Sequence, residues 1–420
     1  MFKIALRNLG RYKKRTIVTT FAIAVGVMTA IFFNAMLVGA DNDSKRNLLW
    51  YETSCAKVFP KGYFEERNLY PVNFLIESEQ GKELESLLQK DKVSYTKRFS
   101  SSAELFFLDE KTKVSGSLMA ILYGIDLQQD KNVFHTMNSI SEGTMIGKGT
   151  GQVILGCNLA YDMKARLGQE MTIQVKGRGG FIQTLDVVVQ GIVTTENPII
   201  NTTGVFMDLE YLDDMLELDG AVTEYDLSWN TSNSSQAIKE ASNALPLLKE
   251  QCSAIGLDCR SWEELAADIL SLVQSKSSFS NLLLFFIFLI AAVGITNTMA
   301  MAVMERKKEI GMLKALGYTQ RYIKGLFFLE GTLLGMLGSL AGVLLGILVT
   351  IPVQRYGIDF SSMVKDMNIG YRIAGIMHAE LTGKECLAAA LLAILASMFS
   401  ASLAVRKAAK GEIAQILRRM

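Results

Sequence analysis

Histidine and cysteine are scarce in this 420-residue chain, with two of the first and five of the second. Each scarcity closes off chemistry. His135 and His378 are far apart in the sequence, which leaves no His-based metal site and no Ser/His/Asp set. No G-x-S-x-G elbow occurs. The cysteines include no C-x-x-C pair and no metal-ligand spacing. Cys252 and Cys259, in "CSAIGLDC", are near enough to close a short loop, so a disulfide stands there as the alternative to two free, buried thiols. Gly143–Gly149, "GTMIGKG", misses the phosphate loop G-x-x-x-x-G-K-[ST]: there is one residue too few between the glycines, and Gly149 stands where Ser or Thr belongs. The chain is therefore expected to be non-catalytic and to bind no metal and no cofactor. A net charge of +1 offers no argument for a nucleic-acid partner.

Long apolar runs are what the chain does have. Half its residues are hydrophobic, and four runs carry the excess: 16–38, 281–303, 326–352 and 386–405. Each reaches the roughly 20 residues that cross a hydrocarbon core. Their only formal charge is Glu330, near one end of the third. The first run is longer than the core of a cleaved signal peptide, so it is expected to stay as a span. Lys and Arg set the orientation. Six fall in residues 1–15, six in 304–325 and five after Val405, against four in 353–385. Both termini and the 304–325 loop are thus expected in the cytoplasm, with 39–280 and the loop 353–385 outside. Residues 39–280 carry 22 Lys/Arg against 34 Asp/Glu, the balance of an acidic, soluble domain.

That outer segment mixes strand-like runs (103–108, 118–125, 171–175, 184–193, 204–207, 222–229) with helical periodicity at 81–89, 157–167, 209–216 and 235–251. The mixture lacks a βαβ rhythm, so α+β is expected. Asp41–Tyr51 and Trp262–Ser280 are expected to extend the flanking spans as stalks. No Pro or Gly interrupts 262–293.

The charged segment Met304–Gly325, "MERKKEIGMLKALGYTQRYIKG", cannot enter a bilayer, where each Lys or Arg costs about 2.5–3.5 kcal/mol at the centre. It is not a featureless linker either. Ile310 and Leu313 share a helical face, and Gly317 is a plausible terminator. Such a helix either dock in a partner's groove or serves as a solvated connector. In the third run Gly331, Gly335, Gly338, Gly342 and Gly346 form a small-residue stripe for close helix packing, within the chain or against a second subunit. Glu330 either snorkels to the interface or pairs with the basic loop. The leader 1–15, with Phe2, Ala5, Leu6 and Leu9 on one face, suits a helix on the inner membrane surface.

The segment "ERKKEIGMLKALGYTQRYI" resembles the cytoplasmic loop of FtsX-like/MacB-like ABC transporter permeases, often close to E-R-x-x-E-I-G-x-x-x-A-L-G-A. Glu305, Arg306, Glu309, Ile310, Gly311, Ala315, Leu316 and Gly317 match. The leader Ala5–Met28, the segments Val153–Ile173 and Val205–Leu216, the third span and the tail Ala404–Arg418 resemble the same family. The tail departs from it at Ala404 and Ile413, where prolines are usual. The resemblance implies four transmembrane helices, a MacB-type periplasmic core between the first and second, and residence in the bacterial inner membrane. It implies a second permease, as homodimer or paralogue heterodimer, and a separate cytoplasmic ATPase that binds ATP and Mg. In that scheme the 304–325 loop, with Leu313 among its contacts, is the coupling helix, and mechanotransmission carries ATP-driven closure to the outer domains. The LolC/LolE-like, lipoprotein-releasing branch looks nearest, with a lipoprotein substrate or periplasmic adaptor as further partner. FtsX-like control of an envelope hydrolase, or MacB-like efflux of a drug, peptide or toxin, is the alternative. The short turn Lys176–Thr184 lacks the long Pro-containing hairpin that captures a carrier in one lipoprotein-release subunit.

Overall fold

The computed structural model describes residues 2–108, 115–229, 234–271, 304–359 and 376–409, with isolated positions between 282 and 301. The chain divides into two units. The membrane unit takes residues 1–42, 272–362 and 376–420, and the second unit takes 43–271 with 363–375.

In the membrane unit a leader helix, Phe2–Arg11, precedes helix Lys13–Leu48, whose last six residues count to the second unit. Helices Lys307–Ala315, Gln320–Tyr356 and Gly383–Ala409 follow. Among the described residues, three helical stretches are long and apolar enough to span a membrane: Thr16–Thr53, Gln320–Tyr356 and Gly383–Leu403. The span expected at 281–303 lies largely outside the described residues. So do the tail after 409 and residues 360–375 of the 353–385 loop, in which Ile358–Asp359 pairs antiparallel with Ile376–Met377.

Glycine lets these helices meet at backbone distance. A Cβ at Gly338 would lie 2.6 Å from Ile23, one at Gly342 2.6 Å from Val27, and one at Gly346 3.2 Å from Ile31. Residues four apart share a face, so this stripe receives helix Lys13–Leu48. Gly331 and Gly335 lie on Ala401 and Ser397 of helix Gly383–Ala409, where the Ser397 hydroxyl donates to the Gly331 carbonyl at 2.7 Å. The stripe is occupied from within one chain. The leader packs on helix Gln320–Tyr356 through Ala5 and Leu9, while Phe2, Ile4 and Leu6 stay exposed.

The second unit is built on a ten-stranded mixed sheet. Its strands are β1 (Ala56–Pro60), β2 (Ser94–Leu108), β3 (Ser115–Ile125), β4 (Ile140–Gly143), β5 (Gln152–Gly156), β6 (Glu170–Lys176), β7 (Ile182–Val193), β8 (Gly204–Asp208), β9 (Glu224–Ser228) and β10 (Leu257–Ser261). The order is β10-β1-β9-β2-β3-β8-β5-β7-β4, and β6 bridges β2 and β7 off that path. Among the described strands, only β3·β8 and β5·β7 are parallel, which fits α+β rather than a wound parallel sheet. Side chains alternate across a strand, and here both faces are covered. Val153, Leu155, Val205 and Met207 enter the main core, whereas Ile154 and Phe206 enter a smaller cluster with Tyr123, Ile125 and Ile200. This is why "VIL" and "VFM" are apolar without a break. Helices Ser78–Lys90, Leu209–Leu216 and Ser234–Ala254 put Leu84 and Leu88, Leu212 and Leu216, and Leu245 and Leu248 into the main core.

Two sequence expectations need correction, and the alternative left open at Cys252 and Cys259 resolves to free thiols. The helix expected over 157–167 ends at Met163, because Lys164 turns left-handed at φ 53° and caps it. The stalk expected from Trp262 is interrupted at its start: helix Trp262–Leu265 ends at Ala266, and helix resumes over 267–271. All five cysteines are free. Cys252, on helix Ser234–Ala254, and Cys259, on β10, are buried side by side with their thiols hydrogen-bonded rather than joined.

Candidate coupling site

Helix Lys307–Ala315 closes on a tight corner. The amides of Leu316 and Tyr318 return to the carbonyls of Met312 and Leu313, each at 3.0 Å, and Gly317 adopts φ +86°. A left-handed residue ends a helix at least cost when it is glycine. The next helix starts at once, its Thr319 hydroxyl accepting the Tyr322 amide.

The nine residues expected to face a partner do not share one side. Glu305, Ala315, Leu316 and Gly317 are exposed, and Glu309 and Leu313 are half-buried. Arg306, Ile310 and Gly311 are buried. Ile310, only 9% exposed, therefore packs inside the chain and is unavailable for docking. The apolar surface consists instead of Met312 (64% exposed) and Leu316 (70%), with Met304 and Tyr318. Met312 and Leu316 are four apart and share a face. Met312 was legible as the i−4 partner of Leu316 but was missed.

Beneath the loop lies a polar hub. Arg306 (3% exposed) pairs with Glu330 (1%) at 2.8 Å. The Asn8 amide of the leader donates to the same carboxylate oxygen at 2.6 Å. The Arg306 guanidinium sits 4.7 Å from the Tyr12 ring centroid, a cation–π distance. On the surface Arg11 pairs with Glu309 at 3.2 Å. Of the two sequence readings of Glu330, the ion pair is the one realised.

The second unit has its own buried ions. Lys57 bridges Glu224 and Asp226, each at 3.0 Å. Arg98 pairs with Asp130 at 2.7 Å and lies over the Phe134 ring. The Ser100 hydroxyl donates to Glu224 at 2.8 Å. Three carboxylates thus face two cations. Burial pushes Asp226 up to about 7 against the pull of Lys57, and it also raises Asp130. Burial pushes Lys57 down, but Asp226 and Glu224 more than offset this, so its ammonium titrates above its ordinary value.

In the "GTMIGKG" segment both the loop amide and the lysine have protein partners. The Gly149 amide donates to Asp208 at 2.6 Å and Lys148 pairs with Glu210 at 2.9 Å, along a cleft of about 280 Å³ that Asp126 and Asp213 also line. The turn after β6 is short. Arg178 anchors it on Glu77 and Asp219 at 3.0 and 3.3 Å, leaving Phe181 and Ile182 exposed. Among the described residues, no group of His, Cys, Asp and Glu is placed to hold a metal ion.

Residues 281–413 match the family described as FtsX-like permease C-terminal. An uncharacterized ABC transporter permease of Methanocaldococcus jannaschii is 22% identical over 359 residues, 83% of each chain. The lipoprotein-releasing system transmembrane protein LolC of Haemophilus influenzae is 25% identical over 157 residues, 37% of each chain. The macrolide export ATP-binding/permease protein MacB of Wolinella succinogenes is 23% identical over 365 residues, 84% of this chain and 54% of that one. The chain thus spans most of the first relative's length and about half or less of the other two.

Proposed function

Because the chain carries an FtsX-like permease C-terminal domain over residues 281–413, we propose that it is the membrane subunit of an ABC transporter, with ATP bound and hydrolysed by a separate chain. The observation that carries this reading is the loop helix. It is a short helix between apolar segments, pinned from below by a buried ion pair and presenting Met312 and Leu316 outward. That geometry suits insertion into a partner's groove. Arg11, Glu309 and Glu305 supply a charged border around it. The termini and the loop lie in the cytoplasm of a bacterial inner membrane, two permease chains pair, and the second unit works outside. A mechanotransmission cycle in this arrangement moves the outer unit instead of threading cargo through the spans. Lipoprotein release is favoured as the work done, on the likeness to LolC. The likeness to MacB supports export of a small molecule or peptide as the second reading.

The test is co-purification with the ATPase from a membrane extract. Met312→Glu with Leu316→Glu is expected to abolish recovery of the ATPase while the permease still accumulates in the membrane. Undiminished recovery would overturn the docking surface.

A further inference from the structure

Glu330 gathers three segments that are far apart in sequence: the leader through Asn8, the loop through Arg306, and its own helix Gln320–Tyr356. Tyr12 lies against Arg306, and Arg11–Glu309 adds a second tie between leader and loop. The other Glu330 oxygen, Nε and one Nη of Arg306 have no hydrogen-bond partner among the described residues.

Such a pair is a poor way to gain stability, because desolvation of the two charges consumes most of their attraction. What it does well is fix a position, since separating the partners leaves a bare charge in an apolar surround. The covalent connection cannot do this. Loop helix and span helix meet at Gly317, whose surroundings are open, with nothing within 4 Å of where a Cβ would sit. A push on the loop helix alone would be taken up by swivelling at that corner. Arg306 lies at the far end of the loop helix and Glu330 ten residues into the next, about 15 Å along its axis. Their bond braces the corner as a strut braces an angle.

We propose that Arg306 and Glu330, with Asn8 and Tyr12, form the joint that passes movement of the loop to helix Gln320–Tyr356 and to the leader. They are positioning residues that bind no nucleotide and touch no substrate. The proposal rests on the reading of the loop as an ATPase dock.

The experiment uses the full chain in complex with its ATPase, hydrogen exchange being compared without nucleotide and with ATP plus orthovanadate. In the parent, nucleotide should alter exchange in residues 304–318, in Gln320–Tyr356 and in Phe2–Arg11. Glu330→Gln and Arg306→Gln should keep the ATPase bound and the change in 304–318, lose the change in Gln320–Tyr356 and weaken that in Phe2–Arg11, where Arg11–Glu309 remains. The exchanged pair, Arg306→Glu with Glu330→Arg, should restore both. Asn8→Ala, the mildest change, should weaken the leader's response, its tie through Arg11–Glu309 remaining, and keep that of the span. A joint that is merely structural predicts loss of ATPase or of the folded chain, with no such split. Parent-like transmission in the Gln variants, or an unaltered leader response in Asn8→Ala, overturns the joint while the docking reading stands. A parent chain that recovers no ATPase overturns the docking reading, and the joint with it.

Discussion

A methyl group at Gly342 would lie 2.6 Å from Val27, closer than two carbons can approach, so one added atom must push two spans apart. Gly342→Leu is expected to cost about 1–3 kcal/mol or more, as overpacking does, and to lower the midpoint of thermal unfolding in detergent. Gly383, with nothing within 4 Å of its Cβ position, is the control, and Gly383→Ala should leave that midpoint in place. Asp226 makes a residue-scale prediction of a different kind. Its carboxyl is raised from 3.8 to about 7 in the folded chain. Between those values the folded state holds a proton that the unfolded state has released, so stability falls as pH rises through the window and is level above it. One shifted group contributes a slope of at most about 1.4 kcal/mol per pH unit. Denaturant unfolding at pH 5 and pH 8 should show Asp226→Asn gaining stability relative to the parent at the higher pH. Parallel curves would remove Asp226 as the source.

At the scale of elements, the loop helix separates what periodicity can show from what it cannot. A 3.6-residue pattern identifies an apolar face without saying whether that face meets the chain's own core or a partner. Periodicity singles out Ile310 and Leu313 as a shared face, yet Ile310 is buried and the outward apolar pair is Met312 and Leu316. The two faces predict opposite behaviour. Ile310→Glu should reduce the amount of folded permease recovered from membranes, because a buried charge without a partner is costly. Met312→Glu should leave that amount unchanged and weaken ATPase recovery. The same reasoning explains which strands were legible. β7 and β8 announce themselves by β-branched and apolar runs. β1 is "AKVFP", and its second residue, Lys57, looks exposed until Glu224 and Asp226 are placed beside it. β10, "LDCRS", is short, half polar and at the sheet edge. Lys164 in a left-handed cap gives no signal, since glycine is the usual residue there. Glu330 could be located near the end of its helix from sequence, but its pairing with Arg306 and Asn8 needed three segments brought together.

For the whole molecule, the hub constrains how many times the chain crosses the membrane. The leader and the loop are hydrogen-bonded to one carboxylate, so residues 8 and 306 lie on the same side. Helix Lys13–Leu48 leaves that side through an apolar stretch long enough to span. The chain must therefore come back before residue 304. Between residues 49 and 303 the sequence has one apolar run of spanning length, 281–303, and that run is predicted to be the return. Helices Gln320–Tyr356 and Gly383–Ala409 are long and apolar enough for a second pair of crossings, which predicts a C-terminus on the starting side. The Lys/Arg clusters before residue 16, in 304–325 and after Val405 predict that this side is the cytoplasm. Reporter fusions in a bacterial host measure this directly. Alkaline phosphatase joined after residue 271 should be active, and green fluorescent protein joined after residue 318 or at the C-terminus should fluoresce. If the chain crossed only three times, the fusions after 271 and 318 would report the same side, and the leader could not share a carboxylate with the loop.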